Sequence, residues 1–133
     1  MQAGGGSGKS KARRKILIVD DNPEVRQPLA AWLVAKFTEH SVIEAENGES
    51  CLKLAALHHP QVVVMDVRLP GMSGIEAARR ISATMPDIGI IMLSAHDDQA
   101  YRRDAESAGA RKYVLKGRAH RELLPAIRDA LTP

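Results

Sequence analysis

Val62-Val63-Val64-Met65 is an unbroken apolar run that delivers one carboxylate, Asp66, and then breaks into the loop Val67-Arg68-Leu69-Pro70-Gly71-Met72-Ser73-Gly74. A run without polar alternation fits a strand covered on both faces, as in a parallel sheet. Asp66 is the anomaly at its end, because an ionised carboxylate is costly to bury unpaired. The carboxyl end of a strand in an open α/β sheet is also where such folds place ligands. A lone Asp at a strand end most often only caps the following loop, so the case for Asp66 rests on its company elsewhere in the chain.

That company follows from the pattern. Ile16-Leu17-Ile18-Val19 is a second apolar run, ending in Asp20-Asp21-Asn22-Pro23, where Asn22 can cap a helix and Pro23 can open it. Val25, Leu29, Trp32, Leu33 and Phe37 share a face of that helix, and Pro28 is expected to remove an early hydrogen bond and to kink the helix or delay its regular start. Ser41–Ala45 reads as a short second strand and about Glu49 to Leu57 as a helix. His58 and His59 then read as exposed helix-end residues, since neighbours in sequence point apart on a helix. Gly74 to Met85 reads as a third helix, Ile88–Leu93 as a fourth strand ending at Ser94-Ala95-His96, and Asp97 to Ser107 as a polar helix with a thin apolar face of Ala100, Tyr101, Ala105 and Ala108. Arg111–Leu115 is a fifth strand ending at Lys116, and Arg118 to Leu131 a last helix interrupted by Pro125.

Strands alternating with helices at this spacing indicate right-handed βαβ units and a parallel sheet. The carboxyl ends of parallel strands lie on one edge. Asp20 and Asp21, Asp66, Ser94 and Lys116 therefore share one cleft. Three acids brought together repel, so either some stay protonated or a cation resides among them, and hard oxygen ligands suit Mg2+. With the metal bound, Asp66 is a usable nucleophile toward phosphorus, Lys116 a counter-charge for an anion and Ser94 a donor.

The remaining composition bounds the rest. At 133 residues, 44% hydrophobic and 26% charged, the chain reads as one globular domain, and no apolar run approaches the ~18 residues that span a membrane. A cytoplasmic location is expected. Cys51 alone cannot form an internal disulfide, which agrees with a reducing compartment, and it reads as a small buried helix residue. Lys9, Lys11, Arg13, Arg14 and Lys15 carry +5 of the net +3, which leaves the remainder at −2, so the domain itself gives no warrant for direct nucleic-acid binding. Residues 1–14 read as a flexible Gly/Ser and basic arm. Its Gly8-Lys9-Ser10 ends a loose P-loop pattern, but a P-loop needs a strand before it and a helix after it.

In this order and at these strand ends, the residues resemble the receiver domain of two-component response regulators over Lys15 to Leu131, making 15–133 the receiver domain. The resemblance implies a flavodoxin-like, doubly wound five-stranded parallel sheet of order 2-1-3-4-5 with five helices. It implies Asp66 as phospho-acceptor from a sensor histidine kinase, Asp21 as a direct Mg2+ ligand, Asp20 as a ligand mainly through water and the backbone carbonyl of Arg68 as a further ligand. Ser94 and Tyr113 become the switch pair, Lys116 the phosphate-binding lysine, and the fourth helix, fifth strand and fifth helix the output surface. Such a domain is a phosphorylation-dependent switch that catalyses only its own phosphotransfer and autodephosphorylation.

Gly117 stands where many family members have proline. Leu115-Lys116 followed by Glu122-Leu123-Leu124 and Ile127 is similar to the subfamily with a helix-turn-helix DNA-binding output, a domain this chain lacks, and a homodimer is a further implied partner. Arg68 and His96 lie two residues past Asp66 and Ser94 and are candidates to modulate phosphoryl lifetime. Rival readings fail at named residues: a flavin phosphate would be repelled by Asp20 and Asp21, and a dehalogenase-type phosphatase needs an acid where Arg68 stands. A receiver-shaped interaction module working without phosphorylation is the alternative.

Overall fold

The computed structural model describes residues 14–132. The P-loop-like segment with Lys9 lies outside them. Five strands, β1 (Lys15–Val19), β2 (Ser41–Ala45), β3 (Val62–Asp66), β4 (Gly89–Ser94) and β5 (Lys112–Leu115), pair in parallel in the order β2-β1-β3-β4-β5. Between and after them run α1 (Pro23–Lys36), α2 (Gly48–His58), α3 (Gly74–Thr84), α4 (Gln99–Ser107) and α5 (Ala119–Leu131), with a 3-10 turn at Lys116–Arg118. This is the flavodoxin-like arrangement the alternation predicts. The order reverses between β1 and β3, and at that point the strand ends open a crevice.

The apolar runs divide between two layers by the period-two rule of strands. Leu17, Val63, Met65, Ile90 and Met92 face one core with α2, α3 and α4, while Ile16, Ile18, Val62, Val64 and Ile91 face the other with α1 and α5. Every residue of β3 and β4 is buried. Each fully buried Ile, Leu or Met is worth roughly 1.5–3 kcal/mol of transfer free energy, which lets the fold tolerate a polar cluster at one end. Cys51 is fully buried against Met65, and burial pushes its thiol up to about 12, so it stays a neutral packing residue.

Several local expectations are corrected. Pro28 does not delay the start of α1. The helix starts at Pro23 with Asn22 capping Glu24 N–H, and runs through Pro28, as α5 runs through Pro125. Both prolines are exposed, so the carbonyls they free, on Glu24 and Arg121, can be hydrated. Val25 is left exposed at 37%, and Trp32 is only half-buried against the α1/α5 core. Ala100 is exposed, and Ala105 alone of the nine α4 residues is buried, so the thin face is thinner than its sequence suggests. His58 is half-buried. His59 closes α2 in the left-handed region (φ 47°) with its ring 3.0 Å from Asp87.

Candidate functional site

Among the described residues, the polar or charged side chains that are buried are three: Asp20, Asp66 and Ser94. All three stand at the carboxyl ends of β1, β3 and β4, where the apolar runs stop. One carboxylate oxygen from each of Asp20, Asp21 and Asp66 lies within 4.8 Å of the others, a spacing that can hold a metal ion. Asp21 is exposed, so the cluster opens to solvent on one side.

Lys116 is the cation that meets these acids. It begins the turn after β5, and its Nζ donates to Asp20 Oδ2 and to Asp66 Oδ2, both at 3.1 Å. Asp66 Oδ1 accepts from the Arg68 N–H at 3.2 Å. Burial pushes the Asp66 carboxyl above its ordinary value, and the Lys116 charge and the Arg68 N–H only partly pull it back. Burial alone would lower the proton affinity of Lys116, but the charges and hydrogen bonds of Asp66 and Asp20 outweigh it and hold the ammonium above its usual value. Both partners thus bind protons more tightly for different reasons, Asp66 chiefly because it is buried and Lys116 because two carboxylates face it.

Ser94 is 1% exposed, and its hydroxyl is engaged with its own loop: Oγ donates to His96 O and accepts from His96 N–H, each at 3.1 Å. Tyr113 OH donates to the same His96 carbonyl at 3.0 Å, and its half-buried ring lies under the Arg102 guanidinium at 4.7 Å. Arg68 Nη1 lies 3.5 Å from His96 Nε2, so the two residues singled out beside the mouth are neighbours.

Asp20, Asp21, Asp66 and Lys116 are therefore gathered as the strand ends implied, with Ser94 at the end of the neighbouring strand β4 and bonded to the His96 peptide, and with Arg68 and His96 beside them. Missing from that set is Arg26, whose Nη1 donates to the Asp20 carbonyl at 2.8 Å and whose Nε donates to Glu44 at 2.9 Å. The available signal was a base in the first turns of a helix, where the dipole favours acids.

A profile of the response regulator receiver domain matches residues 16–128. The chain belongs to that family. The receiver domain is 37% identical over 115 residues to the response regulator GacA of Pseudomonas aeruginosa, covering 86% of this chain and 54% of that protein. It is 31% identical to the transcriptional regulatory protein DegU of Brevibacillus brevis, over 86% of this chain and 48% of DegU. The chain thus spans about half the length of these relatives. Among solved structures, a LuxR-family two-component response regulator from Aurantimonas superposes with a TM-score of 0.81 at 35% identity, over 88% of this chain and 84% of that one. The response regulator TrrA of Thermotoga maritima, solved in complex with Mg(2+)-BeF, superposes with a TM-score of 0.73 at 33% identity, over 89% and 99%. As a receiver domain the protein is a component of a signalling switch, and none of its described helices is long and apolar enough to cross a membrane.

Proposed function

We propose that this receiver domain accepts a phosphoryl group on Asp66 from the phosphohistidine of a sensor kinase, and that the modified state repacks the α4-β5-α5 surface. The observation that carries the reading is the convergence of Asp20, Asp21 and Asp66 with Lys116 bridging two of them at 3.1 Å. Three hard carboxylates, net negative and open to solvent at Asp21, fit Mg2+ with room for waters and a phosphoryl oxygen. Asp21, Asp66 and the Arg68 carbonyl would hold the ion directly, and Asp20 mainly through water. When bound, Mg2+ supplies charge neutralisation at the phosphoryl oxygens.

The protein's own groups do the rest. An Asp66 carboxylate oxygen attacks phosphorus, the P–N bond of the phosphohistidine breaks, and its electron pair leaves on the imidazole nitrogen. Lys116 is displaced from Asp66 Oδ2 onto the incoming phosphoryl oxygens. Ser94 gives up its bonds to the His96 peptide to donate to the same group. Its withdrawal leaves Tyr113 as the donor on the His96 carbonyl and opens space beside the Tyr113 ring. The coupling is a population shift limited by the differential contacts of the phosphoryl group. By analogy with the transcriptional regulatory protein DegU, the output is transcriptional.

The test is mass spectrometry of the domain with acetyl phosphate. A gain of one phosphoryl group is expected with Mg2+ and none with excess chelator. Absence of label at saturating Mg2+ would favour a receiver-shaped interaction module that works without phosphorylation.

The rim sets the lifetime of that group. Arg68, exposed and 3.5 Å from His96, can hydrogen-bond the phosphoryl oxygens or obstruct the attacking water. Arg68→Ala is expected to change autodephosphorylation at least ~3-fold, about 0.7 kcal/mol of barrier, with unfolding temperature unchanged. A decay rate equal to wild type at saturating Mg2+ would leave Arg68 with only its backbone carbonyl in the mechanism. His96→Ala is expected to act in the same assay.

A further inference from the structure

Asp20 is held at each of its polar atoms. Its N–H donates to Ala45 O at 3.1 Å, Oδ1 accepts from Asn22 N–H at 2.9 Å, Oδ2 accepts from Lys116 at 3.1 Å, and the carbonyl accepts from Arg26 Nη1 at 2.8 Å. The last of these bonds has no counterpart in the acceptor chemistry of the cleft. It acts from behind. Arg26 is itself braced, because its Nε donates at 2.9 Å to Glu44 on β2, the strand residue in register with Ile18.

We propose that Arg26 is a positioning residue for the acid pair: its fork, braced by Glu44, fixes the Asp20–Asp21 peptide plane and thereby aims the exposed Asp21 carboxylate at the divalent cation. This rests on reading the cluster as a Mg2+ site. The carbonyl of Asp20 and the N–H of Asp21 belong to one rigid planar unit, so a bond to that oxygen sets the direction in which the Asp21 Cα–Cβ bond leaves. Asp20 has a carboxylate fixed by other donors. Asp21, being exposed, depends on its backbone.

Helix stability does not account for an arginine here. The first turns of α1 present a positive dipole end, which Asn22 and Glu24 suit and a guanidinium does not. Nor is Arg26 a loose surface charge, since its side chain is 13% exposed and makes two directed hydrogen bonds. Groups that orient metal ligands in this way typically control metal affinity by about 10- to 100-fold.

The experiment is calorimetric titration of Mg2+ into the wild-type chain, Arg26→Ala, Arg26→Lys, Glu44→Ala and the Arg26→Ala/Glu44→Ala double variant. Each is also unfolded thermally without Mg2+. Arg26→Ala is expected to weaken Mg2+ binding about 10-fold. Glu44→Ala is expected to weaken it less, because the bond to Asp20 remains, and the double variant to be no weaker than Arg26→Ala alone. Arg26→Lys, which keeps the charge and lacks the planar fork, is also expected to bind weakly, and it carries the test if Arg26→Ala does not fold. A merely structural role would lower the unfolding temperature and leave the affinity of the folded protein untouched. Wild-type affinity in the arginine variants would overturn the proposal and leave the Mg2+ site standing, whereas a wild-type chain that binds no Mg2+ would remove both.

Discussion

Asp66→Asn is expected to take up no phosphoryl group from acetyl phosphate under conditions that label the wild-type chain fully, and to be more stable than wild type without Mg2+ at neutral pH. The first outcome follows from the proposed role of Asp66 as the nucleophile. The second follows from burial, which raises the folded-state pKa of Asp66 above its unfolded value even after the pull of Lys116 is included. A carboxyl raised in this way contributes its full stability below the ordinary carboxylate range and loses it as pH climbs through the raised value. At pH 7 the ionised group weighs against the fold. Asparagine has no proton to lose, and Lys116 still has Asp20 as a partner at 3.1 Å.

Thermal unfolding across pH checks this. The variant's advantage is expected to shrink as pH falls toward about 4, the unfolded carboxylate value. Saturating Mg2+ is expected to reverse the order at neutral pH, since binding at 100 times Kd adds roughly 2.7 kcal/mol to the wild-type chain. Undiminished labelling of the variant would move the acceptor elsewhere.

Gly74→Ala is expected to lower stability by about 2–3 kcal/mol, the upper range for overpacking a tight contact, and to abolish Mg2+-dependent labelling. Gly74 opens α3 directly behind the end of β3, and its N–H donates to Val67 O at 2.9 Å. A Cβ there would run into the Asp66 carbonyl oxygen, a backbone atom that cannot step aside without moving the nucleophile, and would stand 3.2 Å from Met65 Cγ. Helix propensity pulls the other way, by up to about 1 kcal/mol in favour of alanine. The clash wins because the Cβ is fixed rigidly to one main chain and the oxygen it meets belongs to another.

Gly117→Ala is the control. A Cβ at Gly117 meets nothing within 4 Å. Its stability change is expected within about 0.5 kcal/mol. Denaturant unfolding of the two variants side by side, with labelling in parallel, decides the matter. Equal behaviour of both would mean that α3 and β3 separate freely.

The sheet and the acid cluster were legible for one physical reason. A strand buried on both faces must be apolar throughout, so Asp20, Asp66 and Ser94 stand out where the runs stop, and parallel connection places all strand ends on one edge. What did not show in the sequence depends on register and on atoms no side-chain pattern encodes. Arg26 and Glu44 lie 18 positions apart and meet only because β2 pairs with β1 so that Glu44 falls beside Ile18. The unbroken helix at Pro28 depends on which way the freed carbonyl points. The engagement of Ser94 Oγ with the His96 peptide is a matter of one hydroxyl rotor and a loop's course.

That last detail bears on how the protein can drift over generations. Ser94 and Tyr113 both donate to the His96 carbonyl, at 3.1 and 3.0 Å, and an sp2 oxygen with two lone pairs is fully used by two donors. The junction between the cleft and the aromatic ring is thus a main-chain atom, present whatever residue occupies the position. Mutation can replace the imidazole next to Arg68, and under the proposed role of that rim would thereby retune the rate at which the site resets, while the main-chain junction stays in place. On that reading timing would rest on the side chain and transmission on the main chain of one position, so selection could adjust the first without breaking the second.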